Sequence, residues 1–266
     1  MGTLPTISEL LNAGVHFGHT REKRHPKMAP YIFTVRHTVH IMDLVQTQKK
    51  LEAASAFLTE CARSGKRIVF VGTKDSVKDL VEASANLCAS SYVTLRWLGG
   101  TLTNFSVIGK LIKRLKDLRS DKASGALNKY TKKEQLGFSN EIDDLTRRVG
   151  GIEMLAGVPE VLVIIDLVHE KTARKEAAKK GIPVVALIDT NTNPEGISHP
   201  VPCNDDSRQA VALMLAHFAA AINEGKVIAV PSSESSVPEV ATSILSDAAL
   251  ADMVPDVDEK AHQLVS

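Results

Sequence analysis

Cysteine is scarce in this chain: Cys61, Cys88 and Cys203 lie scattered over 266 residues. An odd number without paired spacing excludes a disulfide framework and a zinc ribbon. It suits small buried apolar side chains in a reducing compartment. No uninterrupted apolar run approaches the roughly 20 residues that span a bilayer, so no membrane partner is expected. Positions 1–11 lack the basic start and apolar stretch of a secretory signal, which points to the cytoplasm. Catalytic signatures are missing too. Val71-Gly72-Thr73-Lys74 follows an apolar run but lacks the G-x-G-x-x-G pattern and the full P-loop. There is no G-x-S-x-G elbow, and no cysteine stands in an activating basic context. These absences argue against an enzyme and against a small-molecule substrate.

What is present is an alternation of buried runs and amphipathic stretches. The apolar fraction is 44%, and the length suits one large domain or two small ones. Ile68-Val69-Phe70-Val71, Val161-Leu162-Val163-Ile164-Ile165 and Val184-Val185-Ala186-Leu187-Ile188 are nearly all apolar and predict buried parallel strands. Helical periodicity covers 47–64, 74–89, 170–180 and 207–224, the last opening within Asn204-Asp205-Asp206-Ser207 and stopping at Gly225. The pattern predicts an α/β fold with a doubly wound, mostly parallel sheet of the Rossmann or flavodoxin kind. Between the first two strands, 105–118 and 138–149 each repeat apolar residues at helical spacing around a polar stretch. They predict an inserted α-helical coiled-coil hairpin, bracketed by Gly99-Gly100 and Gly150-Gly151. The expected layout is a body (1–103 and 151–226) with a basic N-terminal arm, the insert (104–150) and an acidic, disordered tail (227–266).

Net charge is +1, but its distribution is uneven. Residues 1–160 carry 24 Lys+Arg against 16 Asp+Glu, and residues 161–266 carry 8 against 15. A basic half of this kind can face a polyanion. Its candidates for phosphate contact are Arg21, Lys23, Arg24, Lys27 and Arg36 in the arm, and Arg96 beside the single tryptophan. Lys110, Lys113, Arg114, Lys116, Lys132 and Lys133 follow in the insert. Pro26 and Pro30 predict an extended arm, and Trp97 is read as a packing anchor. A second constellation, His16-Phe17-Gly18-His19 with Asp166, Asp189, Asp205 and Asp206, gathers ligand types for a single divalent metal. His19, Asp189 and Asp205 are the favoured set. The preferred reading is that Asp205 and Asp206 cap a helix and the histidines make structural hydrogen bonds, with no cofactor required. If a metal binds, a structural role is expected. The rival is a metal-dependent α/β enzyme acting on a phosphorylated small molecule.

Taken in order, Ala13-Gly14-Val15-His16-Phe17-Gly18-His19, His25-Pro26-Lys27-Met28, Arg96-Trp97-Leu98-Gly99-Gly100-Thr101-Leu102-Thr103-Asn104, Ile112-Lys113-Arg114-Leu115 and Asn204-Asp205-Asp206 resemble one family. It is the bacterial-type small-subunit ribosomal protein numbered two. The resemblance covers about residues 7–226. It implies a structural constituent of the ribosome that binds small-subunit rRNA, contacts neighbouring small-subunit proteins and helps dock the large mRNA-binding ribosomal protein. It also implies an α/β body with a projecting coiled-coil insert. Arg24 and His25 stand where members often carry an aromatic and Asn, Cys203 where Gly is common, and Asn193 and Ser198 in place of frequent aspartates.

Overall fold

A computed structural model describes residues 4–229. Thr6 caps the first helix, α1 (Ile7–Asn12). Its hydroxyl accepts from the Glu9 N–H while the Glu9 carboxylate accepts from the Thr6 N–H, a reciprocal capping box. Three antiparallel strands follow, β1 (Phe17–Thr20), β2 (Ile32–Arg36) and β3 (Val39–Met42), with β3 in the middle.

The extended arm expected from Pro26 and Pro30 is folded instead. Arg21–Lys23 and Pro26–Tyr31 form 3-10 turns, Pro26 taking the first position, where no N–H is needed. Met28 is fully buried and the His25 N–H donates to the Thr190 carbonyl at 2.8 Å, pinning the segment to the body.

A two-residue turn closes the β2–β3 hairpin, with His37 at φ 46° and Thr38 at φ 66°. Both left-handed positions are those of a type I′ turn, which favours Asn-Gly and strains other residues. Changing His37 to Asn together with Thr38 to Gly should therefore stabilise the chain by about 1 kcal/mol. Urea denaturation checks this, and a less stable variant would show that the turn side chains carry compensating contacts.

The main sheet is entirely parallel. Helix α2 (Leu44–Arg63) leads into β4 (Ile68–Val71), and α3 (Lys78–Leu87) carries the chain to β5 (Ser91–Val93). After two further helices come β6 (Val161–Ile164), α6 (Lys171–Lys180), β7 (Val184–Ile188), β8 (His199–Pro202) and α7 (Arg208–Ala229). The spatial order β5-β4-β6-β7-β8 is the 2-1-3-4-5 order of flavodoxin-like folds, with its switch point between β4 and β6.

Strand residues alternate between two cores. Ile68, Phe70, Val163, Val185 and Leu187 pack towards α2, α3 and α7, whereas Val69, Val71, Leu162, Ile164, Ala186 and Ile188 pack towards α6 and the insert. Doubly wound covering of this kind explains why the central strands have no polar face. The sheet's edge strand β8 contains Pro200 and Pro202, as an edge allows and a centre does not.

The stretch expected to form an insert holds two helices between β5 and β6, α4 (Phe105–Ala123) and α5 (Lys132–Val149). Ile108, Ile112, Leu115 and Leu118 of the first, and Ile142, Leu145 and Val149 of the second, are buried in one core with Trp97 and Leu102. Arg114 donates to Glu141 at 2.9 Å and Arg119 to the Thr146 hydroxyl at 3.0 Å, both across 27 residues.

By length and composition α7 could span a bilayer, but Ala210, Val211, Met214, Leu215, Phe218 and Ile222 are buried in the core. Nor does it stop at Gly225. A Cβ there would lie 2.3 Å from the Thr59 carbonyl oxygen, so glycine lets α7 press against α2 and continue to Ala229. The expected acidic tail lies outside the described residues from Val230 onward.

Candidate functional site

Strand ends decide where the ligand-type side chains meet. Lys74 follows β4, Asp166 follows β6, Asp189 follows β7, and Asp205 and Asp206 follow β8, all at the carboxyl edge of the sheet where such folds bind ligands. His19 arrives from β1. Gly18 makes that approach possible, since a Cβ on it would sit 2.5 Å from the Thr190 side chain. The His19 N–H donates to the Thr190 hydroxyl at 2.9 Å. Ligand atoms of His19, Asp189, Asp205 and Asp206 lie within 4.8 Å of one another, so the structure gathers the expected trio and adds Asp206.

Asp205 and Asp206 do not cap α7. Asn204 accepts from the N–H groups of Asp206 and Ser207, and the Ser207 hydroxyl accepts from Ala210 N–H, leaving both carboxylates free for the cluster. Lys74 supplies an internal cation, bonded to Asp206 and 3.9 Å from both Asp166 and Asp205. One ammonium against four carboxylates leaves an excess of negative charge. Burial, then the charges of Asp166 and Asp189, push the Asp205 carboxyl up to about 8 against the opposing pull of Lys74. Burial likewise raises Asp189, whose carboxylate accepts from the Thr190 N–H and hydroxyl. For Asp206 burial is outweighed by Lys74, and its pKa falls below the usual value. One imidazole and three carboxylates match the preferences of Zn²⁺ or Mn²⁺.

The folded state holds the Asp205 proton up to about pH 8, while an unfolded chain releases it near 3.8. Stability therefore falls as pH climbs between those values. Asp205→Asn is expected to raise metal-free stability at pH 8 by on the order of 1–3 kcal/mol. It should also abolish any rise in Tm produced by Zn²⁺ or Mn²⁺. A thermal-shift series at pH 5 and 8 checks both, and an undiminished metal response in the variant would remove Asp205 from the ligand set.

The twelve basic candidates are all exposed. Arg21, Lys23, Arg24 and Lys27 line the 3-10 turns, Arg36 ends β2, and Arg96 lies just past the sheet edge at β5. Lys110, Lys113, Arg114 and Lys116 stand on α4, and Lys132 and Lys133 open α5. Lys27 is paired with Glu195 and Arg114 with Glu141. The other ten have no ion-pair partner among the described residues. The three cysteines are buried free thiols, as their scattered spacing suggests.

The ribosomal protein S2 family matches residues 10–225. The chain belongs to the ribosomal protein S2 family. Among curated relatives it is 44% identical over 224 residues to small ribosomal subunit protein uS2 of Shewanella frigidimarina, covering 84% of this chain and 93% of that one. It is 42% identical over 221 residues to the uS2 protein of Thermosynechococcus vestitus, covering 83% and 84%. The uS2 protein of Synechococcus sp. strain RCC307 is 44% identical over 221 residues, covering 83% and 94%.

In this S2-family chain the segment from Trp97 to Asn104 is held by a residue that the sequence did not single out. Glu176, on α6 and only 8% exposed, accepts from the N–H groups of Gly100 at 2.7 Å, Leu102 at 2.9 Å and Thr103 at 3.2 Å, and from the Trp97 indole. Burial works to raise its pKa, but these hydrogen bonds prevail and hold the carboxyl below the usual range. Trp97 is 6% exposed and serves as the packing anchor its lone occurrence suggested. The Gly99-Gly100 pair is therefore a tethered turn at the base of α4 and not a free hinge.

Proposed function

We propose that this chain holds small-subunit rRNA through the cations of its N-terminal turns and its two-helix insert. The observation that carries this reading is the ten exposed cations without carboxylate partners, concentrated on those two regions. Unpaired surface Lys and Arg keep their full charge for phosphates and release counterions on contact. Lys132 and Lys133 reinforce it, because cations in the first turn of a helix oppose its dipole and an arriving phosphate relieves them.

As an S2-family protein the chain is a structural constituent of the small ribosomal subunit, a cytoplasmic particle in bacteria, and acts in translation without being an enzyme. The division into body (1–103, 151–226) and insert (104–150) belongs to the same reading. So does a coiled-coil hairpin form of the insert, supported by the apolar seams of α4 and α5. Docking of the large mRNA-binding ribosomal protein is supported by the first sheet, which leaves Phe17, Phe33 and Val35 exposed. The acidic cluster is proposed to hold one divalent metal through His19, Asp189 and Asp205, with Asp206 as a fourth donor, for a structural purpose. Five cavities of about 130–450 Å³ among the described residues are lined by residues outside the cluster and give the rival metalloenzyme reading no support.

The test is retention. Purified chain mixed with small subunits depleted of their own copy should co-sediment through a wash at moderate salt. Release into the supernatant under those conditions would overturn the proposal.

A further inference from the structure

Helix α6 carries five cations in ten residues, Lys171, Arg174, Lys175, Lys179 and Lys180, in the half of the sequence whose charge is net negative. Glu176, the one acid within the helix, does not offset them at the surface, because it is buried and bonded to the 97–103 turn. The neighbouring carboxylates are also engaged. Glu170 is buried and accepts from the Thr73 N–H at 3.0 Å, Glu195 pairs with Lys27, and Glu160 pairs with Arg67 at 3.4 Å. Among the described residues Lys171, Lys175, Lys179 and Lys180 have no ion-pair partner. Arg174 donates to the backbone carbonyl of Glu195.

Lys171, Lys175 and Lys179 recur every four residues, a stripe with about 6 Å between successive cations along the helix axis. Lys171, Arg174 and Lys175 also line a groove of about 320 Å³ against the loop between β7 and β8, where Glu195, Gly196 and Ile197 form the other wall. That loop is where Lys27 of the N-terminal turns lands, so arm and helix converge on one ridge.

We propose that the α6 stripe and its groove form a second polyanion-binding surface, continuous with the N-terminal turns and shaped for a nucleic-acid backbone. The inference rests on reading the chain as an rRNA-binding protein and adds a contact face that the basic first half does not contain. A nucleic acid is favoured over an acidic protein because the surface is a row of lysines with few exposed apolar side chains beside it. Phosphates are recognised by charge alone, whereas protein interfaces add an apolar centre.

The experiment titrates full-length chain against deproteinised small-subunit rRNA across a salt series, comparing wild type with two triple variants. One carries Lys171→Gln, Lys175→Gln and Lys179→Gln; the other carries Lys110→Gln, Lys113→Gln and Lys116→Gln. The α6 variant should retain the wild-type Tm and flatten the slope of log affinity against log salt by about 2–3. An unchanged slope in the α6 variant with a flattened one in the insert variant overturns this inference alone. If neither slope changes, the rRNA reading falls with it. Should the α6 variant bind rRNA normally but fail to stay on small subunits, the surface serves a protein neighbour and the nucleic-acid assignment is wrong.

Discussion

Glu176→Ala should destabilise the chain by roughly 3–5 kcal/mol, because it strips the acceptor from three backbone N–H groups and an indole at once. Donors buried without a partner cost about 1–3 kcal/mol each; the Trp97 and Leu102 bonds are buried and those of Gly100 and Thr103 part-buried, so the first two carry most of the loss. Glu176→Gln keeps an acceptor but brings an amide N–H₂ into a ring of donors, so an intermediate loss is expected. The sign of the pH dependence follows from the depressed pKa. An unfolded chain takes up the proton near 4.5 and the folded one only at lower pH, so the contribution is complete at neutral pH and disappears as pH falls through the folded-state value. Urea unfolding of wild type and both variants from pH 7 to pH 3 measures this. An Ala variant as stable as wild type would mean that packing of Trp97 and Leu102 holds the turn unaided. Because that turn leads directly into α4, the variant should also bind rRNA less tightly even where it remains folded.

Converting Lys110, Lys113, Arg114 and Lys116 to Gln together should weaken rRNA binding by about 10–100-fold at moderate salt and flatten the salt slope by about 3. Three lysines account for most of this. Arg114 is already paired with Glu141 across the insert, so less of its charge is available to phosphate. All four side chains are exposed and the one ion pair lost contributes about 0.2–1 kcal/mol, so the fold should be nearly unaffected. A salt titration by filter binding decides the matter, and a slope equal to that of wild type would take the insert out of the RNA interface.

Much of the body was legible because it obeys simple periodicities. The runs at β4, β6 and β7 are unbroken by polar residues, as strands covered on both faces must be. Their ends carry Lys74, Asp166 and Asp189, which a parallel sheet necessarily delivers to one edge. The convergence of His19, Asp189 and Asp205 follows from that geometry. Other elements broke the patterns. Strand β5 has three residues and begins with Ser91, too short for alternation to register. Pro200 and Pro202 disguise β8, and the charges and prolines before β2 disguise a folded N-terminal sheet as a loose arm. Glu176 was hidden by its company, one acid in a lysine-rich helix that reads as solvated. A signal did exist: Ala173, Glu176 and Ala177 share the buried stripe of α6, so a carboxylate falls where an apolar residue belongs.

A chain destined for a large particle must first survive unassembled, when the two edge strands of its main sheet are the places where another strand could add. On one margin, two of the four residues of β8 are prolines and cannot donate to an incoming backbone. On the other, β5 offers only three residues. Neither border is a good template for a stranger's strand, so the free protein can accumulate ahead of assembly without zipping into fibrous aggregates.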